Sequence, residues 1–175
     1  MNLKQKLWAI KILKNAYKMK KICKFPATAM AAMAIFESDY GKRILTDIIT
    51  GKFSYNLFGI KCLVKKGKIL ASGNNGCVFC YTHEENEKGK YLTSAYFRAY
   101  YNYEDSFLDY VNVLKVSKDD NGEQRYREAF NYLQNAEQFV AELCRAGYCT
   151  DKNYVKNITP LIRQLKRIPV FLLKL

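Results

Sequence analysis

The amino-acid sequence predicts an α+β domain that is mainly helical and carries one small β-lobe. Three observations lead there. Apolar residues recur at helical spacing before residue 41 and again after residue 106. Between them, residues 62–100 are interrupted by Gly67, Gly73, Gly76 and Gly89 and carry short strand-like runs. The chain has 175 residues, 49% of them apolar, which suits a single domain over 1–175 with one substantial core.

Each element follows from its own pattern. Leu3, Leu7, Ile10, Leu13 and Tyr17 mark a first helix over residues 3–20 with a lysine-rich opposite face. Pro26 can sit in the first turn of the next helix, where its missing N–H costs nothing. The Ala- and Met-rich run Ala27–Tyr40 reads as a buried helix, with Gly41 as its C-cap. Residues 42–61 read as a second helical piece and a connector. Within the lobe, Val78–Thr82 reads as a strand and Tyr91–Tyr96 as its return. Phe107, Val111 and Leu114 mark a further helix. Tyr126, Phe130, Leu133, Ala136, Val140 and Leu143 mark one longer helix closing near Gly147. Asp151 can cap a last helix carrying Val155, Ile158, Ile162 and Leu165. The apolar end from Pro169 is expected to pack back on the body or to lead into more chain.

Charge and cysteines bound the function. Twenty-nine Lys plus Arg against 16 Asp plus Glu leave +13. That balance suits a solvated surface or attraction to a polyanion, whether nucleic acid, anionic lipid or cell wall. No zinc-finger spacing or RNA-recognition signature is present, so no nucleic-acid partner is expected. No run approaches the roughly 18 apolar residues of a membrane span, and no stable membrane insertion is expected. Residues 1–24 lack the apolar central run of a secretory signal. The expectation is a cytoplasmic product, a protein exported by another route, or a domain of a longer chain. Cys77 and Cys80 form a C-x-x-C pair, but the one histidine, His83, and the lack of a second pair argue against metal. Neither metal nor cofactor is expected. On a strand the two cysteines would face opposite ways, and the six cysteines read as free, mostly buried thiols.

One carboxylate stands out. Met30, Met33, Ala34 and Glu37 lie at offsets of three, four and seven and so share a helix face. Burial and the negative end of the helix dipole would raise the pKa of Glu37. A carboxylic acid kept protonated near neutrality is what a glycosidase uses to protonate its leaving oxygen. Periodicity alone favours the other reading, a glutamate that escapes to solvent at the helix end.

The local words are more specific. The helix from Pro26 ending in Glu37-Ser38-Asp39-Tyr40-Gly41-Lys42 resembles the signature helix of glycoside hydrolase family 73, the bacterial N-acetylglucosaminidases. Tyr40 replaces the commoner tryptophan. Asn56-Leu57-Phe58-Gly59-Ile60-Lys61 is similar to the family's Asn-Leu-Phe-Gly-Ile-Lys, and Phe97-Arg98-Ala99-Tyr100 to its Phe-Arg-x-Tyr. Ser106-Phe107-Leu108-Asp109-Tyr110 and Ala146-Gly147-Tyr148-Cys149-Thr150-Asp151 followed by Tyr154 continue the series, in family order over residues 26–154.

The resemblance implies a lysozyme-like fold, with a helical body and a β-lobe flanking a glycan cleft. It implies a monomeric enzyme that cleaves peptidoglycan after N-acetylglucosamine, with Glu37 as general acid. It gives Tyr148 a cleft position in binding or catalysis, and places Asn56 and Phe58 where the family lines its cleft. Tyr154 is either a cleft residue or a packing aromatic. The second carboxylate matches Glu84, in Thr82-His83-Glu84, with Glu85 and Glu87 as rivals. With the thiol reading, the same likeness suggests either a phage-type lysin released from the cytoplasm or an excised domain of a secreted or assembly-linked hydrolase.

Overall fold

The computed structural model describes residues 1–86 and 89–173. Among these residues, five α-helices form the body, and two antiparallel hairpins form a lobe inserted between α2 and α3. Helix α1 (Leu3–Cys23) starts on a reciprocal cap: Asn2 Oδ1 accepts from Gln5 N–H and Gln5 Oε1 from Asn2 N–H, both at 2.9 Å. Its buried stripe is Ala9, Ile12, Leu13, Ala16 and Met19. Leu3 and Leu7, read as core, are 72% and 60% exposed. The helical period was right but its phase was not: Trp8 and Ala9 face the body in these turns, and Leu3 and Leu7 lie on the opposite side of the helix.

Helix α2 (Ala27–Glu37) runs through the middle of the core, with Ala27 to Ile35 all buried. Its alanines let the neighbouring helices approach closely on every side. Pro26 is its N-cap, one residue earlier than expected. The helix also ends at Glu37, three residues short of the predicted Tyr40. Ser38 Oγ donates to Ala34 carbonyl at 2.6 Å and accepts from Gly41 N–H at 3.1 Å. Asp39, Tyr40 and Gly41 then take φ of 44°, 55° and 85°. Gly41 is therefore not the cap. A Cβ there would lie 2.7 Å from the Trp8 ring, so the glycine admits α1.

Residues 42–61 hold no helix, contrary to expectation. Asp47 Oδ1 accepts from Ile49 N–H at 3.0 Å and Thr50 N–H at 2.8 Å, forming a local turn in place of a helical one. Its Oδ2 accepts from Phe79 N–H at 2.7 Å and ties this turn to the lobe.

In the lobe, β1 (Leu63–Lys65) pairs with β2 (Lys68–Ala71), and β3 (Cys77–Asn86) with β4 (Gly89–Arg98). The predicted strands lie inside β3 and β4. One face of that hairpin closes a small core of Val78, Cys80, Phe97 and Ala99. Residues 60–62 lie along the free edge of β4: Cys62 N–H donates to Tyr96 carbonyl at 2.8 Å, and Arg98 N–H to Ile60 carbonyl at 2.9 Å. This pairing brings Cys62 beside Cys77, and the two form a disulfide with Cα atoms 6.5 Å apart. The expectation of six free thiols is corrected here. No sequence spacing shows that a segment fifteen residues upstream will add to β4. Cys80 is buried on the opposite face, as alternation requires.

Helix α3 (Tyr103–Val116) returns the chain to the body. The single helix expected over 126–143 is broken into a 3-10 turn, Ala129–Tyr132, and α4 (Ala136–Arg145). Asn135 caps the second, its Oδ1 accepting from Gln138 N–H at 3.2 Å. Helix α5 (Tyr154–Lys166) has Asn153, not Asp151, at its N-cap. Asp151 supports the turn before it, accepting from Asn153 N–H at 2.8 Å. The terminal segment packs back as expected, with Leu173 buried in the main core.

Candidate active site

Glu37 sits where α2 stops, at the junction of body and lobe. It lines a cavity of about 170 Å³ together with Arg43, Asn56, Gly59, Thr82 and Phe97. Burial raises the Glu37 pKa above the usual carboxylate value, although the Tyr154 hydrogen bond and the Arg43 charge pull the other way. Tyr154 OH donates to Glu37 Oε1 at 2.8 Å. The phenol is itself pushed far up, by burial first and then by the charges of Tyr148 and Glu37, so it stays a donor.

Behind this pair stands a cluster of tyrosines. Tyr148 lies edge-on to Tyr154 at 6.0 Å and to Tyr110 at 6.2 Å. Its pKa is also raised, mainly by burial and then by Glu37. Phe58 stacks on Tyr110 with centroids 3.9 Å apart and planes within 6°. Phe58 is thus buried under the cluster rather than open to the cavity. Tyr110, which sequence reasoning treated only as part of a motif, is the link between them.

Asn56 does line the cavity, but its polar valences are all in use. Its amide donates to Ile60 and Arg98 carbonyls at 2.9 Å each, and its Oδ1 accepts from Phe58 and Ile60 N–H at 3.3 and 3.1 Å. Asn56 holds the wall of the cavity and joins one motif to the next. Arg98 in turn donates to both oxygens of Asp109, at 2.9 and 2.8 Å, and Tyr100 OH donates to Asp109 at 2.6 Å. The Phe-Arg-x-Tyr and Ser-x-x-Asp-Tyr words are therefore one strut between lobe and body.

Glu84 lies on β3 two residues beyond Thr82, on the same face and about 7 Å further along the strand. It is ion-paired with Lys61, the last residue of the Asn56–Lys61 motif. Of its rivals, Glu87 and the Glu85 side chain lie outside the described residues. Sequence reasoning missed Arg43 and Thr82 as cavity residues. Their signal was proximity to words already read: Arg43 directly follows Lys42, and Thr82 heads Thr82-His83-Glu84. Among the described residues, no group of three or more potential metal ligands is present.

The model of the glucosaminidase family, mannosyl-glycoprotein endo-β-N-acetylglucosaminidase, matches residues 13–167. The chain belongs to this family. It shares the lysozyme-like fold of the family's glycoside hydrolase domains. Among glucosaminidase relatives, the peptidoglycan hydrolase FlgJ of Pseudomonas aeruginosa is 36% identical over 141 residues, covering 80% of this chain and 32% of that protein. FlgJ of Escherichia coli K12 is 36% identical over 145 residues, covering 82% and 41%. The chain thus spans about a third to two fifths of the length of these relatives. A truncated glycoside hydrolase domain of Salmonella typhimurium FlgJ superposes with a TM-score of 0.70 at 29% identity, covering 94% of this chain and 99% of that one. The catalytic domain of the Listeria monocytogenes autolysin Auto gives 0.71 at 25% identity, covering 95% and 86%.

Proposed function

We propose that this glycoside hydrolase cleaves the β-1,4 bond following N-acetylglucosamine in bacterial peptidoglycan, with Glu37 as general acid. The observation that carries the reading is the half-buried Glu37 carboxyl, held at a raised pKa in a cavity between body and lobe. Protonated, it can deliver a proton to the glycosidic oxygen. As that proton leaves, the carboxylate charge develops against Tyr154 OH and Arg43, which favour it. Two groups thus work in the transition state while burial sets the resting state.

Glu84 is the proposed second carboxylate. Paired with Lys61, it would activate a water across a gap of about 6.5–9.5 Å in an inverting reaction. Tyr154, with Tyr148 behind it, would hold and tune Glu37 against the bound sugar, and Asn56 and Phe58 would keep the cleft wall in shape. The substrate also suits the charge: +13 on the chain meets a wall rich in phosphate and carboxylate. We read the enzyme as a monomer acting on the wall. No helix among the described residues is long and apolar enough to cross a membrane. The Cys62–Cys77 disulfide favours an oxidising setting and weakens the cytoplasmic-lysin alternative.

The test is mass spectrometry of muropeptides released by the wild type, Glu37→Gln and Glu84→Gln. Reducing N-acetylglucosamine ends, lost with either variant, support the proposal. Anhydro ends with an active Glu84→Gln would mean a single-acid transglycosylase. Wall binding without sugar release at any pH would mean a non-catalytic module.

A further inference from the structure

The turn that carries Tyr148 holds a pair of thiols that the proposed chemistry does not use. Cys144 lies in the last turn of α4 and Cys149 five residues later. Between them the chain reverses at Gly147, where φ is 84°. Gly147 N–H donates to Cys144 carbonyl and Tyr148 N–H to Leu143 carbonyl, both at 3.0 Å. This reversal brings the two sulfurs to 2.7 Å, although both cysteines are free thiols. Both line a surface cavity of about 430 Å³ with Arg145, Thr150 and Lys152, so a small oxidant can reach them. Tyr148, between them in the chain, packs on Tyr154, the donor to Glu37.

We propose that Cys144 and Cys149 form a second disulfide, a brace that locks the Gly147 turn and holds Tyr148 against Tyr154. Its effect on catalysis rests on the function proposed above; its formation does not. The oxidant is a small-molecule disulfide such as oxidised glutathione. The Cys149 thiolate attacks one glutathione sulfur, breaking that S–S bond and releasing one glutathione. The Cys144 thiolate then attacks Cys149 Sγ and releases the second. Two electrons pass from the protein thiols to the two glutathiones, which also take up the two thiol protons. Cys62–Cys77 shows that the fold already accommodates one disulfide, and conditions that make it can make the other.

Trypsin cuts after Arg145 and so separates the two cysteines. Wild-type protein equilibrated with oxidised glutathione should give the peptide ending at Arg145 joined to the peptide beginning at Ala146. Reduction should release them, and Cys144→Ser or Cys149→Ser should never give the joined pair. Recovery of both cysteines alkylated by iodoacetamide after that treatment overturns the proposal. Cys144→Ser/Cys149→Ser should lower kcat/KM about threefold or more. It should also move the alkaline limb of the activity profile to lower pH, because a loosened turn lets water reach Glu37. The groups facing Glu37 are Tyr154, Tyr148, Tyr110, Arg43 and Cys144; of these, only Cys144 is replaced. An unchanged profile and rate, with the joined peptide present in wild type, would overturn the bracing role. A wild type with no hydrolytic activity would instead overturn the function proposed above, and the peptide result would still decide the bond.

Discussion

Tyr154 OH donates to Glu37 Oε1 at 2.8 Å, joining the last residue of α2 to the first of α5. The two helix ends meet at the cavity, so the bond is both a packing constraint and an electrostatic control on the acid. Burial holds the Glu37 proton on, and the phenol stabilises the carboxylate left when the proton departs.

Tyr154→Phe separates these effects. Removing the hydrogen bond takes away an influence that lowers the Glu37 pKa, so the pKa rises further and the acid stays protonated to higher pH. The alkaline limb of the kcat profile should therefore move up. A hydrogen bond to a charged group contributes about 1.5–3 kcal/mol, so kcat should fall roughly tenfold or more. A pH–rate series on purified wall checks both.

Glu37→Gln should remove turnover yet stabilise the fold at neutral pH. The folded-state pKa of Glu37 lies above its unfolded value near 4.5, so the folded state holds the proton more tightly. Wild-type stability must fall as pH rises through that interval, and a neutral glutamine escapes the loss. Melting curves should show the variant with the higher Tm at pH 7 and the gap closing below pH 4.5.

Asp47 gives the opposite dependence. Backbone N–H groups of Phe79 and Thr50 hold its carboxyl at about 2, below the ordinary 3.8. Its stabilisation is complete above the unfolded value and disappears as pH falls through about 2. Asp47→Asn should be less stable than wild type at neutral pH and should match it in strong acid. Urea midpoints across that range measure the difference.

Gly73→Ala should damage the lobe without touching a polar group. A Cβ at residue 73 would lie 2.0 Å from Ala99 carbonyl oxygen, and the neighbour is backbone that cannot rotate away. Overpacking of this kind costs about 1–3 kcal/mol. The turn should separate from Ala99, between Arg98 and Tyr100, and denaturant midpoint and activity should fall together.

Much of the fold was legible because it is periodic. The buried stripe of α2, the strands within β3 and β4, and the stripe of α5 all follow from spacing that repeats whatever surrounds it. The misplaced element bounds share one cause. The end of α2, the turn at Asp47 and the break at Asn135 are each set by a side chain that competes for backbone hydrogen bonds. Spacing of apolar residues carries no record of that competition. Leu3 and Leu7 failed differently: their spacing is helical, but they lie on the face opposite the buried stripe of Ala9, Ile12, Leu13, Ala16 and Met19.

By itself the sequence determined the family, the helical body with its lobe, and Glu37 as the residue to examine. These depend on residue identities in order along the chain. Only the tertiary structure decided which distant residues meet: Tyr154 on that carboxyl from 117 residues away, Lys61 with Glu84 on the lobe, and Cys62 with Cys77 in a disulfide. It also moved Phe58 from the cleft to the floor beneath Tyr110, and turned Asn56 into a brace. A pKa, a hydrogen bond and a cavity are properties of what lies within a few ångströms, and chain folding, not chain order, chooses those neighbours.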